Sequence, residues 1–217
     1  MIEGVIFDID GTLTATNELI FASFNHVAKK YLGKNLTDDE IIALFGPTED
    51  AILKVWMKDN YEEARKDYYE FYSEMHHQMV EAYPGILEIL RLVKSRNIPL
   101  SIYTGKGRLS SEITLEKIGA IDLFDMIVTG DDVENHKPSP EGIEVFVNQY
   151  KLNKNNVIMI GDAPADIIAA HAAGVKIASV VWDSYAKEKV LSMGSDFVFE
   201  SVKDLRDFLN DNMINSN

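Results

Sequence analysis

Two carboxylates, Asp8 and Asp10, stand two residues apart where the apolar run EGVIFDI gives way to Gly11, Thr12 and Leu13. An ionised carboxylate is a nucleophile that needs no deprotonation, and a second one beside it can carry a proton, so the pair suits covalent group transfer. Gly11 lets the chain turn sharply behind them. Taken alone, Asp-Gly-Thr also makes an ordinary turn or helix cap.

Three other stretches carry groups of the same kind. After the run IPLSIYT come Thr104, Gly105, Lys106, Gly107 and Arg108, a hydroxyl followed by a glycine-rich helix start whose N–H groups attract anions. After DMIVTG, Lys137 precedes Pro138 and Pro140, which stiffen the backbone, although a solvated lysine is the plain alternative and His136 reads as a loop residue. After NVIMI come Gly161 and Asp162, with Asp166 four residues on; both acids would also sit well in the first turn of a helix.

The elements that must position these groups decide between the readings. Six runs, EGVIFDI, IPLSIYT, DMIVTG, NVIMIG, VKIASVVW and DFVFE, are apolar on both sides and alternate with helical patterns. That pattern predicts a doubly wound α/β fold, a mainly parallel sheet with helices on both faces. In such a sheet every strand ends on one edge, so Asp8, Asp10, Thr104, Lys137 and Asp162 converge there. Independent helix caps have no reason to do so. Three acids around one lysine and one hydroxyl suit a hard, oxygen-loving cation and a phosphoryl group.

Helix signals fit between the strands: Pro84 opens PGILEILRLVKSRN, Gly119 follows LSSEITLEKI and Gly174 follows ADIIAAHAA. From about residue 16 to 80 the alternation stops, and four helical segments follow one another with no strand. Thr37 with Glu40 reads as a capping box, and Thr48 as the cap of the next helix. We therefore expect an α/β core of residues 1–15 and 81–217 with an all-helical insertion, residues 16–80, lying over it. The closing NDNMINSN reads as a frayed end.

Composition narrows the partners. A formal net charge of -14 disfavours broad contact with nucleic acid or an anionic membrane. Lys176 interrupts the longest apolar stretch, and the amino terminus lacks a basic segment and a long apolar one, so a soluble chain is expected. The absence of cysteine suits a cytoplasmic setting. A monomer or a homodimer acting on a small molecule is the expectation.

In order, D-x-D-G-T-L, a strand-end Thr-Gly, Lys-Pro and G-D-x-x-x-D resemble the four motifs of the haloacid dehalogenase superfamily, and the helical insertion is similar to the cap of its phosphoglycolate phosphatase-like branch. The resemblance implies a phosphatase in which Asp8 is the nucleophile and passes through an aspartyl phosphate. It implies Mg²⁺ held by the Asp8 carboxylate, the Asp10 main-chain carbonyl and Asp162. Asp10 would protonate the leaving oxygen and then activate water. Thr104, Lys137 and the backbone around Ile9, Gly11, Thr12, Gly105 and Lys106 would hold the phosphoryl oxygens, with Asp166 orienting Lys137 or the metal's waters from behind. A mutase would share the same core; a phospho-receiver module would need neither Asp10 nor the insertion, and an inactive scaffold would be expected to have lost one of these groups.

Specificity is expected from the insertion, through Asn17, Glu18, Phe21, Phe45, Gly46, Pro47, Thr48 and Glu49. TNELIFASF, the FGP turn and TGDDVENHKPSPEG look like stretches of bacterial pyrophosphate phosphatases. Lys106, Arg108 and Lys137 would cluster beside the phosphate, and Lys54 could meet a second anionic group, although a solvated surface role is the plainer reading of an isolated helix lysine. Pyrophosphate and phosphoglycolate are accordingly the first choices of substrate.

Overall fold

The computed structural model describes residues 1–214. Its centre is a six-stranded, wholly parallel sheet: β1 (Gly4–Phe7), β2 (Leu100–Tyr103), β3 (Met126–Val128), β4 (Val157–Gly161), β5 (Lys176–Val180) and β6 (Phe197–Phe199), in the spatial order β3-β2-β1-β4-β5-β6. All six strands expected from the apolar runs form. Every residue of β1, β2 and β4 is buried, as continuous apolar runs require when both faces are covered.

The period of two along β1 sorts its side chains between two layers. Val5 and Phe7 join α5 (Ile86–Ser95) and α10 (Val202–Asn212) through Ile89, Leu90, Val93, Leu205 and Leu209. Ile6 points the other way, toward α7 (Glu141–Tyr150) and α8 (Pro164–Ala173), where Phe146, Ile167 and Ala170 lie. Helix α5 begins after Gly85, two residues later than Pro84 suggested, because Gly85 itself takes a left-handed conformation. Gly174 ends α8 in the left-handed conformation expected of it. The chain end is more ordered than its composition suggested, since α10 runs to Asn212 and the buried Met213 bridges to Ile2. The last part of the expected frayed tail, residues 215–217, lies outside the described residues.

Residues 17–79 contain helices and no strand: α1 (Asn17–Val27), α2 (Asp38–Ile42), α3 (Glu49–Met57) and α4 (Tyr61–Met79), with a π turn after α1. The Thr37–Glu40 capping box is present, but Thr48 caps α3 by position only, with no side-chain hydrogen bond. These helices share their own apolar cluster, in which Phe24 of α1 meets Tyr68 of α4 with ring centroids 5.0 Å apart. Such a ring pair adds about 0.5–1.5 kcal/mol to the area it buries. The cluster reaches Leu109 and Ile113 of α6 (Arg108–Lys117), and the Tyr72 hydroxyl lies 2.8 Å from the Thr114 hydroxyl. Among the described residues no helix is long and apolar enough to cross a membrane.

One buried group in this seam titrates abnormally. His76 on α4 is fully buried, neither ring nitrogen has a hydrogen-bond partner, and burial, helped by Lys106 and Lys117, lowers its pKa from 6.5 to about 4. The unfolded chain therefore takes up a proton there between pH 6.5 and 4 that the folded chain refuses, so stability falls as pH drops through that window and is unaffected above it. Urea denaturation of His76→Phe at pH 7 and pH 4.5 should show a smaller loss on acidification than the parent. Equal losses would mean that His76 is not charge-restricted by the fold.

Candidate active site

The strand ends deliver their residues in register. Phe7 pairs with Ile102 and Ile160, so Asp8, Tyr103 and Gly161 lie level and the chain leaves the sheet beside its neighbours. This is the point at which strand order reverses, between β1 and β4, where open parallel sheets bind ligands. The Asp8 N–H still donates to the Ile160 carbonyl at 2.9 Å, which anchors the first acid to the ladder. Gly11 then turns at a φ of +74°, and a β-carbon there would collide with the Asp162 carboxylate. A β-carbon at Gly161 would collide with Asp166 in the same way. Two glycines thus make the room into which two carboxylates fit.

Asp8, Asp162 and Asp166 each present a carboxylate oxygen, all within 4.8 Å of one another, and all three residues are buried. Lys137 Nζ stands 2.5 Å from Asp166 Oδ1 and 3.2 Å from Asp8 Oδ1, and 5.0 Å from the centre of the Tyr103 ring. Asp166 Oδ2 also accepts from the Ala163 N–H, so both its oxygens are engaged. Burial raises the Asp8 pKa to about 6; Lys137 pulls it down, and Asp166 and Asp10 push it back up. Burial, with Asp166 and Asp8, likewise drives Asp162 well above the carboxylate range. Burial would lower Lys137, but Asp166 and Asp8 together hold it above its ordinary value. Three buried carboxylates against one ammonium leave an excess of negative charge, and Asp8 Oδ1 accepts no hydrogen bond. An all-oxygen, anionic and under-satisfied set of this kind fits a hard divalent cation.

Asp10 belongs to a different group. Its carboxylate accepts from the Thr16 hydroxyl and pairs with Lys106 Nζ at 3.3 Å, away from the Asp8 cluster. The Lys106 side chain is 1% exposed, and its Nζ lies 3.5 Å from Glu49 Oε1 and 4.9 Å from the centre of the Tyr72 ring. Burial opposes its charge, yet Asp10, Tyr72 and Glu49 raise its pKa above the usual lysine value. Glu49, the first residue of α3, also accepts from the Gly107 N–H and the Ser110 hydroxyl, both at 2.7 Å. Arg108 N–H donates to Asp131. The Gly107 and Arg108 amides at the start of α6 are thus taken by side chains, the Thr104 N–H donates to the Val128 carbonyl, and Thr104, Gly105 and Lys106, just before the helix, line the cavity.

A cavity of about 180 Å³ joins the two groups. Of the residues singled out in the sequence, Asp8, Asp10, Gly11, Thr104, Gly105, Lys106, Lys137, Asp162 and Asp166 line it from the sheet side, and Asn17, Phe45, Gly46, Pro47 and Glu49 from the helical side. Others stand elsewhere. Ile9 buries its side chain in the core and Thr12 donates to Asp162 from behind. Thr48 does not line the cavity: it packs toward Gly130 and Gly107, so the turn before α3 presents Glu49 instead. Glu18 and Lys54 are exposed, and Phe21 stacks toward Phe45 outside the lining. Arg108 pairs with Asp132 and Glu112, which removes it from the expected cluster of cations.

Sequence reasoning missed Thr16 and Tyr185. Thr16 lies in the unmarked stretch between the first motif and α1. Tyr185 is 57% exposed and borders the cavity from the loop after β5, which Ser184 ties to the Asp162 carbonyl at 2.5 Å. Its signal was the position of that loop on the same sheet edge as the other four.

A sequence profile described as haloacid dehalogenase-like hydrolase matches residues 5–180. The chain belongs to that family. Pyrophosphatase PpaX of Bacillus pumilus (strain SAFR-032) is 33% identical over 204 residues, covering 94% of each chain, and PpaX of Halalkalibacterium halodurans is 35% identical over 208 residues, covering 96% of this chain and 97% of that one. The crystal structure of a predicted phosphoglycolate phosphatase from Haemophilus somnus 129PT superposes with a TM-score of 0.83 at 20% identity, over 95% of this chain and 97% of its own, which shows the same fold. This haloacid dehalogenase-like chain is an enzyme, a phosphatase within the family.

The two glycine positions give a sharp test of the packing argument. Gly11→Ala places a methyl group against Asp162 at a left-handed backbone position, whereas Gly119→Ala, at a φ of +70°, meets nothing within 4 Å. Both should lose about 1–2 kcal/mol to backbone strain in urea denaturation. Only Gly11→Ala should also lose phosphatase turnover, by about 100-fold or more, because misplacement of about 1 Å has that effect. Equal activity in the two variants would refute the assignment of Gly11 as the residue that admits Asp162.

Proposed function

We propose that the chain is a Mg²⁺-dependent phosphatase that hydrolyses a small phosphorylated metabolite through an aspartyl phosphate on Asp8. The observation that carries this reading is the division of two carboxylates two residues apart between two charge groups. Asp8 sits with Asp162, Asp166 and Lys137, and Asp10 with Thr16 and Lys106. That division supports a role for the first in bonding phosphorus and for the second in moving a proton. In the same reading residues 1–15 and 81–217 form the core, and residues 16–80 act as a cap that excludes water from it.

Bound to Asp8, Asp162 and the Asp10 carbonyl, Mg²⁺ would supply the positive charge that lets an anionic phosphoryl group approach an anionic nucleophile. Asp8 then attacks phosphorus while the bond to the leaving oxygen breaks, and Asp10 gives that oxygen a proton. Asp10, now ionised, takes a proton from water, which attacks the aspartyl phosphate and frees inorganic phosphate and Asp8. Lys137 stabilises the equatorial oxygens and is itself held by Asp166, while Thr104 and the Gly105 amide donate to them from the opposite side.

Turnover of p-nitrophenyl phosphate should require Mg²⁺ and cease on chelation. Asp8→Asn should abolish both turnover and the phosphorylated enzyme detected by mass spectrometry. Asp10→Asn should lower turnover by about 10²–10⁴-fold, the usual contribution of a general acid and base. Calorimetric Mg²⁺ binding should be lost in Asp162→Asn and kept in Asp10→Asn, whose carbonyl survives the substitution. Near-normal turnover by Asp8→Asn would sink the covalent reading. The name of the PpaX relatives supports pyrophosphate as substrate. Of the cations expected around an anionic substrate, Lys106 and Lys137 line the cavity, but Arg108 and Lys54 do not.

A further inference from the structure

The cavity has two unlike ends. At the phosphoryl end the negative surplus of Asp8, Asp162 and Asp166 over Lys137 is what a divalent cation offsets. At the other end, under the cap, Lys106 faces two carboxylates, Asp10 and Glu49, and no further cation lines the wall among the described residues. The rest of that wall is largely apolar, formed by Ile20, Phe24, Phe45, Pro47 and Ile52, with the uncharged Asn17 beside them.

Glu49 is fixed in this position. Its side chain is 8% exposed, and the Gly107 N–H, the Ser110 hydroxyl and Lys106 hold it from three sides. It cannot swing out to solvent without leaving the Gly107 N–H unpaired in a buried place and Lys106 with Asp10 alone. A leaving group that enters beneath the cap therefore loses its water next to a fixed carboxylate, a lysine already neutralised and a run of hydrocarbon. A second negative charge would be repelled there with no cation to receive it. An uncharged alcohol would not.

We propose that Glu49 is a specificity-determining residue that turns away leaving groups carrying their own charge, so that the preferred substrates are phosphate monoesters of small, uncharged, partly apolar alcohols. This rests on the phosphatase reading above and departs from the substrates that the sequence favoured. The cavity volume of about 180 Å³ agrees with a small leaving group, since pockets for drug-sized ligands hold about 300–1,000 Å³.

The test uses n-propyl phosphate and phosphoglycolate, which are close in size and differ by one carboxylate, together with pyrophosphate and p-nitrophenyl phosphate, all with excess Mg²⁺. The parent enzyme should show kcat/KM for n-propyl phosphate at least tenfold above those for phosphoglycolate and pyrophosphate. Glu49→Gln, which keeps an acceptor for Gly107, should raise the two charged substrates at least tenfold relative to n-propyl phosphate. Glu49→Asp, which keeps the charge, should leave the ratio within threefold of the parent. Preference of the parent for pyrophosphate or phosphoglycolate overturns the proposal, whether or not the variants fold. A Glu49→Gln enzyme that loses pyrophosphate activity selectively also overturns it, because Glu49 would then assist the second anion. If no substrate is turned over, p-nitrophenyl phosphate included, it is the phosphatase reading that has failed.

Discussion

Burying several carboxylates on one edge of a sheet is unfavourable unless each finds a partner, and this protein does it with three, beside a fourth that is partly exposed. Asp8 and Asp162 project from strand ends, Asp10 from the turn after β1 and Asp166 from the first turn of α8, and the side chains of the two lysines that meet them, Lys106 and Lys137, are almost wholly buried. Pairing of this sort adds little net stability, because desolvation of the ions cancels much of the attraction. What it provides is a fixed arrangement of charge. Replacing either lysine by an apolar residue would leave two carboxylates facing each other in a dry place, so each ammonium confines its neighbours to one geometry. The glycines at 11 and 161 are consequences of the same constraint, since the acids approach the backbone too closely for any side chain there.

The helical segment is bound to this charge arrangement as well as to the apolar seam. Tyr72 of α4 touches the core twice, through its hydroxyl at Thr114 and its ring beneath Lys106, and Glu49 of α3 accepts from the Gly107 N–H just before α6. The helices therefore rest on the sheet through polar contacts that close directly over the cavity. A joint made this way is weaker than a hydrophobic core, because its polar groups can be resolvated when it opens. That is the property a cap needs if it must admit substrate and then shut out water.

Much of this was legible in the residues. Each strand is a continuous apolar run, so its existence did not depend on context, and a parallel sheet can put its strand ends on only one edge. From those two facts Asp8, Thr104, Lys137 and Asp162 had to meet, and they do. The helical side was less legible because a helix start looks alike whether its first residues face solvent, core or ligand. Thr48 carried the recognisable capping chemistry, yet it is the next residue, Glu49, that reaches the cavity, a rotation of about 100° on the helix that no local pattern fixes. Arg108 was misjudged for a related reason, since chain proximity to a phosphate site says nothing about which carboxylate a long side chain will find, whereas Lys54 is the surface lysine that its isolated place on a helix favoured. Thr16 and Tyr185 had no motif to announce them and became visible only once the loops were placed.

The spacing of Asp8 and Asp10 acquires its meaning from this three-dimensional division. Residues two apart on an extended strand would point the same way and repel each other along the same face. Here the strand stops at Phe7 and the chain turns at Gly11, so the second carboxylate leaves the plane of the first and ends beside the cap. Its partners, Thr16 at the foot of α1 and Lys106 braced by Glu49, are the groups that would shift if the helices moved away. On the proposed mechanism, the acid that serves the leaving group is thereby tied to the helices proposed to select the leaving group, while the nucleophile is tied to the core. A change under the cap can then alter which alcohol departs, and how readily it is protonated, while the machinery that attacks phosphorus stays where it is.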